Sequence, residues 1–133
     1  MDAAQIGNEL SSIVLTTEQI DTRIREIAAE IDKDYAGAEK PLLMVGVLKG
    51  AVMVMADLAR AVSIPVEFDF MAVSSYGSGT KSSGVVRIIK DLDIDLAGRD
   101  VLIVEDILDS GLTLSWLIKN LKSRHPKSIE VMT

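Results

Sequence analysis

The fold of this chain is decided by residues 101–113, which have the sequence VLIVEDILDSGLT. The first four residues are apolar, as in a strand that is buried on both faces of a parallel sheet. Two carboxylates, Glu105 and Asp106, follow the strand, and a loop from Asp109 to Thr113 then leads into a helical pattern. Open α/β sheets bind ligands at the carboxyl ends of their strands, and a helix N-terminus offers free N–H groups to an anion. The stretch therefore predicts a site for a phosphate beside a hydroxylated or metal-bound group.

Predicted helices and strands alternate on both sides of this stretch. Thr16 and Gln19 form a capping-box pattern that predicts the start of a helix, and Ile20, Ile24, Ile27 and Ile31 then follow at helical spacing. Further helices are predicted at residues 51–62 and 114–121, and strands at residues 42–48, 66–73, 85–90, 101–104 and from 127 onward. The order predicts an α/β fold, a mostly parallel sheet flanked by helices on both faces, in one domain over residues 1–133.

Three further expectations concern local structure. Residues 13–15 are apolar and predict a short strand. In the strand at residues 66–73, Glu67 and Asp69 alternate with Phe68 and Phe70, which predicts one face that is solvated or at the sheet edge. Residues 74–84 contain three glycines and five serines, so we expect a flexible loop. Its lone aromatic residue, Tyr76, favours a mobile lid over an idle connector.

Composition excludes several classes of protein. The chain has 133 residues, a formal net charge of −6 and no cluster of Lys and Arg, which argues against a nucleic-acid-binding protein. It has no cysteine and one histidine, which excludes disulfides, thiolate metal sites and His-rich metal sites. Charged residues interrupt every apolar run before it reaches membrane-spanning length. The first residues lack the basic start of a signal peptide, so we expect a soluble cytoplasmic protein with no membrane partner.

Two other α/β phosphate sites fit the sequence less well. A P-loop requires Gly followed by Lys, and that pair does not occur in this chain. Val-Glu-Asp after an apolar strand also resembles the acidic pocket of a response-regulator receiver. In receivers the acidic pair follows the first strand, whereas only residues 107–133 follow it here, too few for the rest of such a domain.

Three motifs together resemble a known family. Residues 101–113 are similar to the phosphoribosyl-pyrophosphate (PRPP) motif of the type I phosphoribosyltransferases. Leu48-Lys49-Gly50 is similar to that family's pyrophosphate loop, and Ser75-Tyr76-Gly77 to the closing loop of its hypoxanthine-guanine branch. Asp109 points to the same branch, because the uracil enzymes and the RNA-binding pyrimidine regulator carry a bulkier or neutral residue there. The resemblance covers nearly the whole chain, from about Ile13 onward.

The resemblance implies how PRPP would be held. Glu105 and Asp106 would bind the ribose 2′ and 3′ hydroxyls, and Mg²⁺ would join ribose and pyrophosphate, touching the two acids through hydroxyls or water. Lys49 and Gly50 would bind the pyrophosphate, and the peptide bond between Leu48 and Lys49 is often cis in this family.

The resemblance also implies a phosphate cradle and a proton-handling residue. The 5′-phosphate would lie on the loop formed by Asp109, Ser110, Gly111, Leu112 and Thr113. Asp109 would be catalytic, exchanging a proton with N7 of the purine as N9 attacks C1′. Ser75 and Tyr76 would fold over the site and exclude water.

The activity implied is purine salvage, the transfer of 5-phosphoribosyl from PRPP to hypoxanthine or guanine, by a homodimer or homotetramer with Mg²⁺ as cofactor. Family members continue beyond the strand near Ile129, so the chain looks truncated at its C-terminus, and the purine-contacting residues would lie beyond Thr133. Two alternatives stay open: a non-catalytic PRPP- or nucleotide-binding regulator of the same fold, and an inactive fragment.

Overall fold

In the computed structural model of this chain, the structure describes residues 7, 11–76 and 85–133. The elements are, in chain order, α1 (Thr17–Asp34), β1 (Leu42–Val47), α2 (Val52–Ala61), β2 (Val66–Tyr76), β3 (Val85–Lys90), β4 (Asp100–Val104), α3 (Leu112–Lys122) and β5 (Ser128–Met132). The predicted α/β fold with a mostly parallel sheet is confirmed, and the predicted helices and strands agree with these bounds to within about two residues in most cases.

All five described strands belong to one sheet, in the order β3-β2-β1-β4-β5. The pairs β1·β2, β1·β4 and β4·β5 are parallel, and only β3 runs antiparallel to its neighbour β2. That the whole chain is one domain stays a prediction.

Helices cover both faces of the sheet, as predicted. On one face, Leu42, Met44 and Leu102 pack with buried residues of α1 and α2, such as Ile31 and Leu58. On the other face, a second buried cluster contains the alternate residues of the same strands, with Leu117 and Leu121 of α3 and Leu96 of the β3–β4 connection. The central strand β1 is buried at all six positions, which explains its uninterrupted apolar sequence.

The first helix begins where its capping pattern predicts. Thr16 Oγ1 accepts a hydrogen bond from the Gln19 backbone N–H at 3.2 Å, and Gln19 Oε1 accepts one from the Thr16 N–H at 2.8 Å. The box satisfies two N–H groups that the helix itself leaves unpaired. Among the described residues, no helix combines the length and the apolar character needed to cross a membrane.

The order of the strands creates a crevice between β1 and β4. From β1 the chain crosses through α2 to β2 on one side, whereas β4 lies on the other side of β1 and continues into α3 on the opposite face. The two connections therefore diverge at the carboxyl ends of adjacent parallel strands. Such a topological switch point is where open α/β sheets bind their ligands.

Two local expectations are wrong, and a third holds in part. Residues 13–15 form no strand, and their side chains are exposed. Strand β2 runs to Tyr76 because pairing with β3 supports its last residues, so residues 74–76 do not belong to a loop. For the strand at residues 66–73, the alternative of a sheet edge is confirmed, because β3 pairs only with residues 72–76 and leaves the outer edge of residues 66–71 without a partner among the described strands. A solvated acidic face is not found, since Asp69 is only 6% exposed and its carboxylate accepts hydrogen bonds from backbone N–H groups.

Candidate active site

The loops after β1 and β4 meet at the switch point. The peptide bond between Leu48 and Lys49 is cis, as the resemblance implies. Gly50 follows and lies directly against Asp106: a Cβ placed on Gly50 would be 2.5 Å from Asp106 Cγ and 2.6 Å from its Oδ1. Real Cβ contacts are never so short, so only glycine fits at this position while Asp106 keeps its place. The structure therefore brings two of the sequence-predicted segments into contact.

The carboxylates of Glu105 and Asp106 repel each other. The Asp106 backbone N–H donates to Glu105 Oε1 at 3.2 Å, and the Glu105 N–H donates to the carbonyl of Met132 at 3.0 Å. Partial burial of Glu105, together with the neighbouring Asp106 side chain, raises the pKa of Glu105 from 4.5 to about 7. Asp106 itself is exposed. A raised carboxylate pKa at the edge of a crevice is typical of a ligand site.

The loop after these acids presents a helix N-terminus to the same edge. Gly111 has φ of +77° and ψ of −2°, a left-handed conformation that glycine adopts without strain, and α3 begins at the next residue. The N-cap residue Gly111 has no side chain that could cap α3, and among the described residues the Leu112 N–H makes only a long hydrogen bond to Ser110 Oγ, at 3.5 Å. The first turn of α3 can therefore offer N–H groups to an anion. Asp109 and Ser110 are exposed, and Thr113 is partly buried inside the first turn. Leu112, predicted with them to form the phosphate cradle, is exposed, and its backbone N–H lies at the helix start, 3.5 Å from Ser110 Oγ.

The expected lid is only partly described. The backbones of Ser75 and Tyr76 lie in β2, paired with Val86 and Val85 of β3. Their side chains, and residues 77–84, lie outside the described residues. The lid therefore stays a prediction.

Sequence reasoning missed one group of polar residues, at the outer edge of β2. Asp69 accepts hydrogen bonds from the backbone N–H groups of Phe70, Asp93 and Ile94 at 2.7, 2.8 and 2.9 Å. Lys90 Nζ lies 3.7 Å from Asp69 Oδ1. The signal was present: an acid in the middle of an apolar strand followed by a lysine at the end of the next strand. The alternation with phenylalanine led to the different interpretation of a solvated face.

Comparisons with known proteins support the same family. The model of the phosphoribosyl transferase domain matches residues 12–133. A hypoxanthine-guanine phosphoribosyltransferase of Mycobacterium avium is 60% identical over 129 residues, which are 94% of this chain and 64% of that protein. One from Bacillus subtilis is 46% identical over 126 residues, 95% of this chain and 69% of that protein.

A solved structure supports the same family. The crystal structure of a hypoxanthine phosphoribosyltransferase from Staphylococcus aureus superposes with a TM-score of 0.90 at 44% sequence identity, covering 100% of this chain and 71% of that one. This chain spans about 64% of the length of the mycobacterial relative. The motifs at the switch point, the family model and these relatives agree, and the chain belongs to the phosphoribosyl transferase domain family, among the hypoxanthine-guanine phosphoribosyltransferases.

Proposed function

We propose that this chain binds PRPP at the β1–β4 switch point and, in the complete protein, transfers its 5-phosphoribosyl group to hypoxanthine or guanine, giving IMP or GMP and pyrophosphate. The observation that carries the proposal is the contact of Gly50 with the Asp106 carboxylate. It joins the pyrophosphate loop to the acidic strand end. Relatives named as hypoxanthine-guanine phosphoribosyltransferases support the choice of substrates.

PRPP carries three groups that match three parts of the site. The N–H groups in the first turn of α3, with the hydroxyls of Ser110 and Thr113, suit the 5′-phosphate. Glu105 and Asp106 suit the ribose 2′ and 3′ hydroxyls, because carboxylates accept hydrogen bonds from both. Lys49 supplies a positive charge and, with Gly50, backbone N–H groups for the pyrophosphate that leaves.

Asp109 is the proposed catalytic residue. It is exposed on the loop that precedes α3, so its carboxyl can exchange a proton with N7 of the incoming purine while N9 bonds to C1′. The bond from C1′ to the pyrophosphate oxygen breaks as the new bond forms, and the electron pair leaves with pyrophosphate. Ser75 and Tyr76, at the end of β2, are proposed to cover the site and exclude water.

The acidic strand end fits Mg²⁺, which the family implies. Mg²⁺ binds through one or two carboxylates, waters and substrate oxygens instead of a cage of protein ligands. Within the part of the chain that the structure describes, no cluster of three or more His, Cys, Asp or Glu side chains could hold a metal, so Glu105 and Asp106 would hold the ion together with PRPP. When bound, Mg²⁺ neutralises charge on the pyrophosphate and so makes it a better leaving group.

Titration calorimetry with PRPP in Mg²⁺ buffer, followed by an absorbance assay for IMP and GMP, tests this function. We expect the chain to bind PRPP, with Asp106→Asn weakening the affinity about tenfold or more because one carboxylate oxygen is lost. Asp21→Asn, an exposed acid on α1, is the matched control and should bind as the wild type does. Absence of PRPP binding in a folded chain would refute the proposal.

The assay for product separates the remaining alternatives. Turnover that Asp109→Asn abolishes, with PRPP binding kept, supports the enzyme. Binding without turnover supports a regulator of the same fold or a piece that lacks its purine site. We further propose that the complete protein is a homodimer or homotetramer. Its location in the cytoplasm stays a prediction.

A further inference from the structure

The sheet changes its partner at one point along β2. Residues up to Met71 pair with β1, and residues from Ala72 onward pair with β3, with a register irregularity between Ala72 and Val73. The last pair on the β1 side is Val47 with Met71. Residues 72–76 and 85–90 therefore form a two-stranded arm that extends past the end of β1, on the carboxyl-end side of the sheet where the proposed PRPP site lies. We call this the β2–β3 arm.

A two-stranded hairpin alone is at best marginally stable, so something must fix the arm at its base. The base lies at Phe70, whose outer backbone edge has no strand partner because β3 ends at Lys90, opposite Ala72. An unpaired N–H or C=O group removed from water is costly. Here the Phe70 N–H donates to Asp69 Oδ1 at 2.7 Å, and its carbonyl accepts from Lys90 Nζ at 3.0 Å.

The same two side chains hold the turn that leaves the arm. Asp69 Oδ2 accepts from the N–H groups of Asp93 and Ile94, at 2.8 and 2.9 Å. Lys90 Nζ also donates to the carbonyl of Asp91 at 2.8 Å and to Asp93 Oδ2 at 3.2 Å. Asp69 and Lys90 therefore connect β2, the end of β3 and the connection to β4, the strand that Glu105 and Asp106 directly follow.

We propose that Asp69 is a positioning residue, which with Lys90 fixes the β2–β3 arm relative to the sheet and so sets Ser75 and Tyr76 against the site at the end of β4. Asp69 touches neither substrate nor the reacting atoms. It lies six and seven residues before Ser75 and Tyr76 on the same strand, so a small rotation at the base is amplified at the tip. The functional half of this inference rests on the proposed function, whereas the fixing of the arm does not.

The variant Asp69→Asn tests it, since an amide keeps the size but places N–H groups against backbone N–H groups. We expect the amides of residues 72–76 and 85–90 to gain at least about tenfold more in hydrogen-exchange rate than the amides of β1 and β4, whose exchange follows global unfolding. Lys90→Met, which keeps the aliphatic stem, should change the same amides less. If Asp69→Asn does not fold, Lys90→Met tests whether these side chains fix the arm.

Measurements of kcat and of PRPP affinity test whether the position of the arm affects function. A misplaced arm should lower kcat about tenfold or more while the affinity for PRPP stays within about twofold, because the β1 and β4 loops that hold PRPP are unchanged. The control is Asp91→Asn, which removes the ion pair with Arg124 (2.8 Å) on the same connection and should leave the arm and kcat as they are.

Two outcomes would overturn the inference. One is wild-type exchange of the arm in both Asp69→Asn and Lys90→Met. The other is a fall of kcat and PRPP affinity in equal proportion, which a general loss of structure produces. If the wild type neither binds PRPP nor turns over, the proposed function fails, and hydrogen exchange still decides whether Asp69 fixes the arm.

Discussion

Asp69 lies on β2 and Glu105 directly follows β4, the two strands that flank β1, yet folding shifts the pKa values of these two acids in opposite directions. Burial alone would raise the pKa of Asp69, but backbone N–H groups of Ile94, Phe70 and Asp93 and the Lys90 ammonium outweigh it, and the pKa is lowered. Burial also acts on Glu105, the neighbouring Asp106 side chain adds to its effect, and the pKa of Glu105 rises to about 7.

The difference distinguishes an acid that stabilises the fold from acids that are available to bind a ligand. Asp69 has its acceptor capacity filled by the protein itself, so it stabilises the fold and has little to offer a ligand. Glu105 and Asp106 form no ion pair among the described residues. Their repulsion is relieved only by a proton, a cation or hydroxyl donors. Two neighbouring acids without cationic partners at a switch point therefore indicate a ligand-binding site. A buried acid whose hydrogen-bond partners all come from the protein indicates a structural role.

The largest effect should come from removing the satisfied acid. Asp69→Ala leaves the N–H groups of Phe70, Asp93 and Ile94 without their acceptor, and we expect the free energy of unfolding at pH 7 to fall by about 3 kcal/mol. Urea denaturation measures this. Asp93→Ala is the control, because its side chain is 84% exposed and its ion pair with Lys90 should contribute less than about 1 kcal/mol. Equal losses in both variants would contradict the role given to Asp69.

The second test changes the geometry of the candidate active site and should leave the stability of the fold nearly unchanged. Gly50→Ala places a methyl group where the Asp106 carboxylate lies. Asp106 is exposed and can rotate away, so the free energy of unfolding should change little, whereas affinity for PRPP should fall about tenfold because a ribose ligand is displaced.

Gly98→Ala is the control for this substitution. A Cβ on Gly98 would meet nothing within 4 Å, but the residue has φ of +68°, so alanine should cost about 1 kcal/mol of stability and leave PRPP affinity unchanged. If Gly50→Ala also loses only stability, the contact with Asp106 has no part in binding.

Much of this fold could be predicted because its signals are local. The apolar runs of β1 and β4 follow from burial on both faces, and the start of α1 follows from the hydrogen-bonding chemistry of Thr16 and Gln19. The residues of the candidate site were likewise visible, since they come directly after buried strands. Their roles came from the resemblance to a family, and their meeting at one edge from the topology.

What the sequence did not reveal depends on partners distant along the chain. Asp69 is buried only because the amides of Asp93 and Ile94 fold back onto it, 24 and 25 residues later. Residues 74–76 have the composition of a loop and become strand only through pairing with β3. The apolar residues 13–15 have high strand propensity, but no described strand pairs with them, and propensity alone does not form a sheet.

The smallest expected effect is a pH dependence of the free energy of unfolding, which has opposite signs for Glu105 and Asp69. The folded pKa of Glu105 lies above its ordinary value of 4.5, so as pH rises from 4.5 to about 7 the unfolded chain loses this proton first and stability falls. The lowered pKa of Asp69 acts in reverse: its contribution is present above its ordinary value of 3.8 and is lost as pH falls below it. The two windows hardly overlap, so they can be measured separately.

Glu105→Gln should abolish the fall in stability between pH 4.5 and about 7 and leave the loss of stability below pH 3.8 unchanged. We expect the variant to match the wild type near pH 4 and to exceed it near pH 8, by an amount on the order of 1 kcal/mol because water screens a partly exposed carboxyl. Urea midpoints at the two pH values measure the difference, with Glu39→Gln as an exposed control that should track the wild type throughout. An advantage of Glu105→Gln that is the same at both pH values would show that the pKa of Glu105 is not raised in the folded chain, and the contrast with Asp69 would fail.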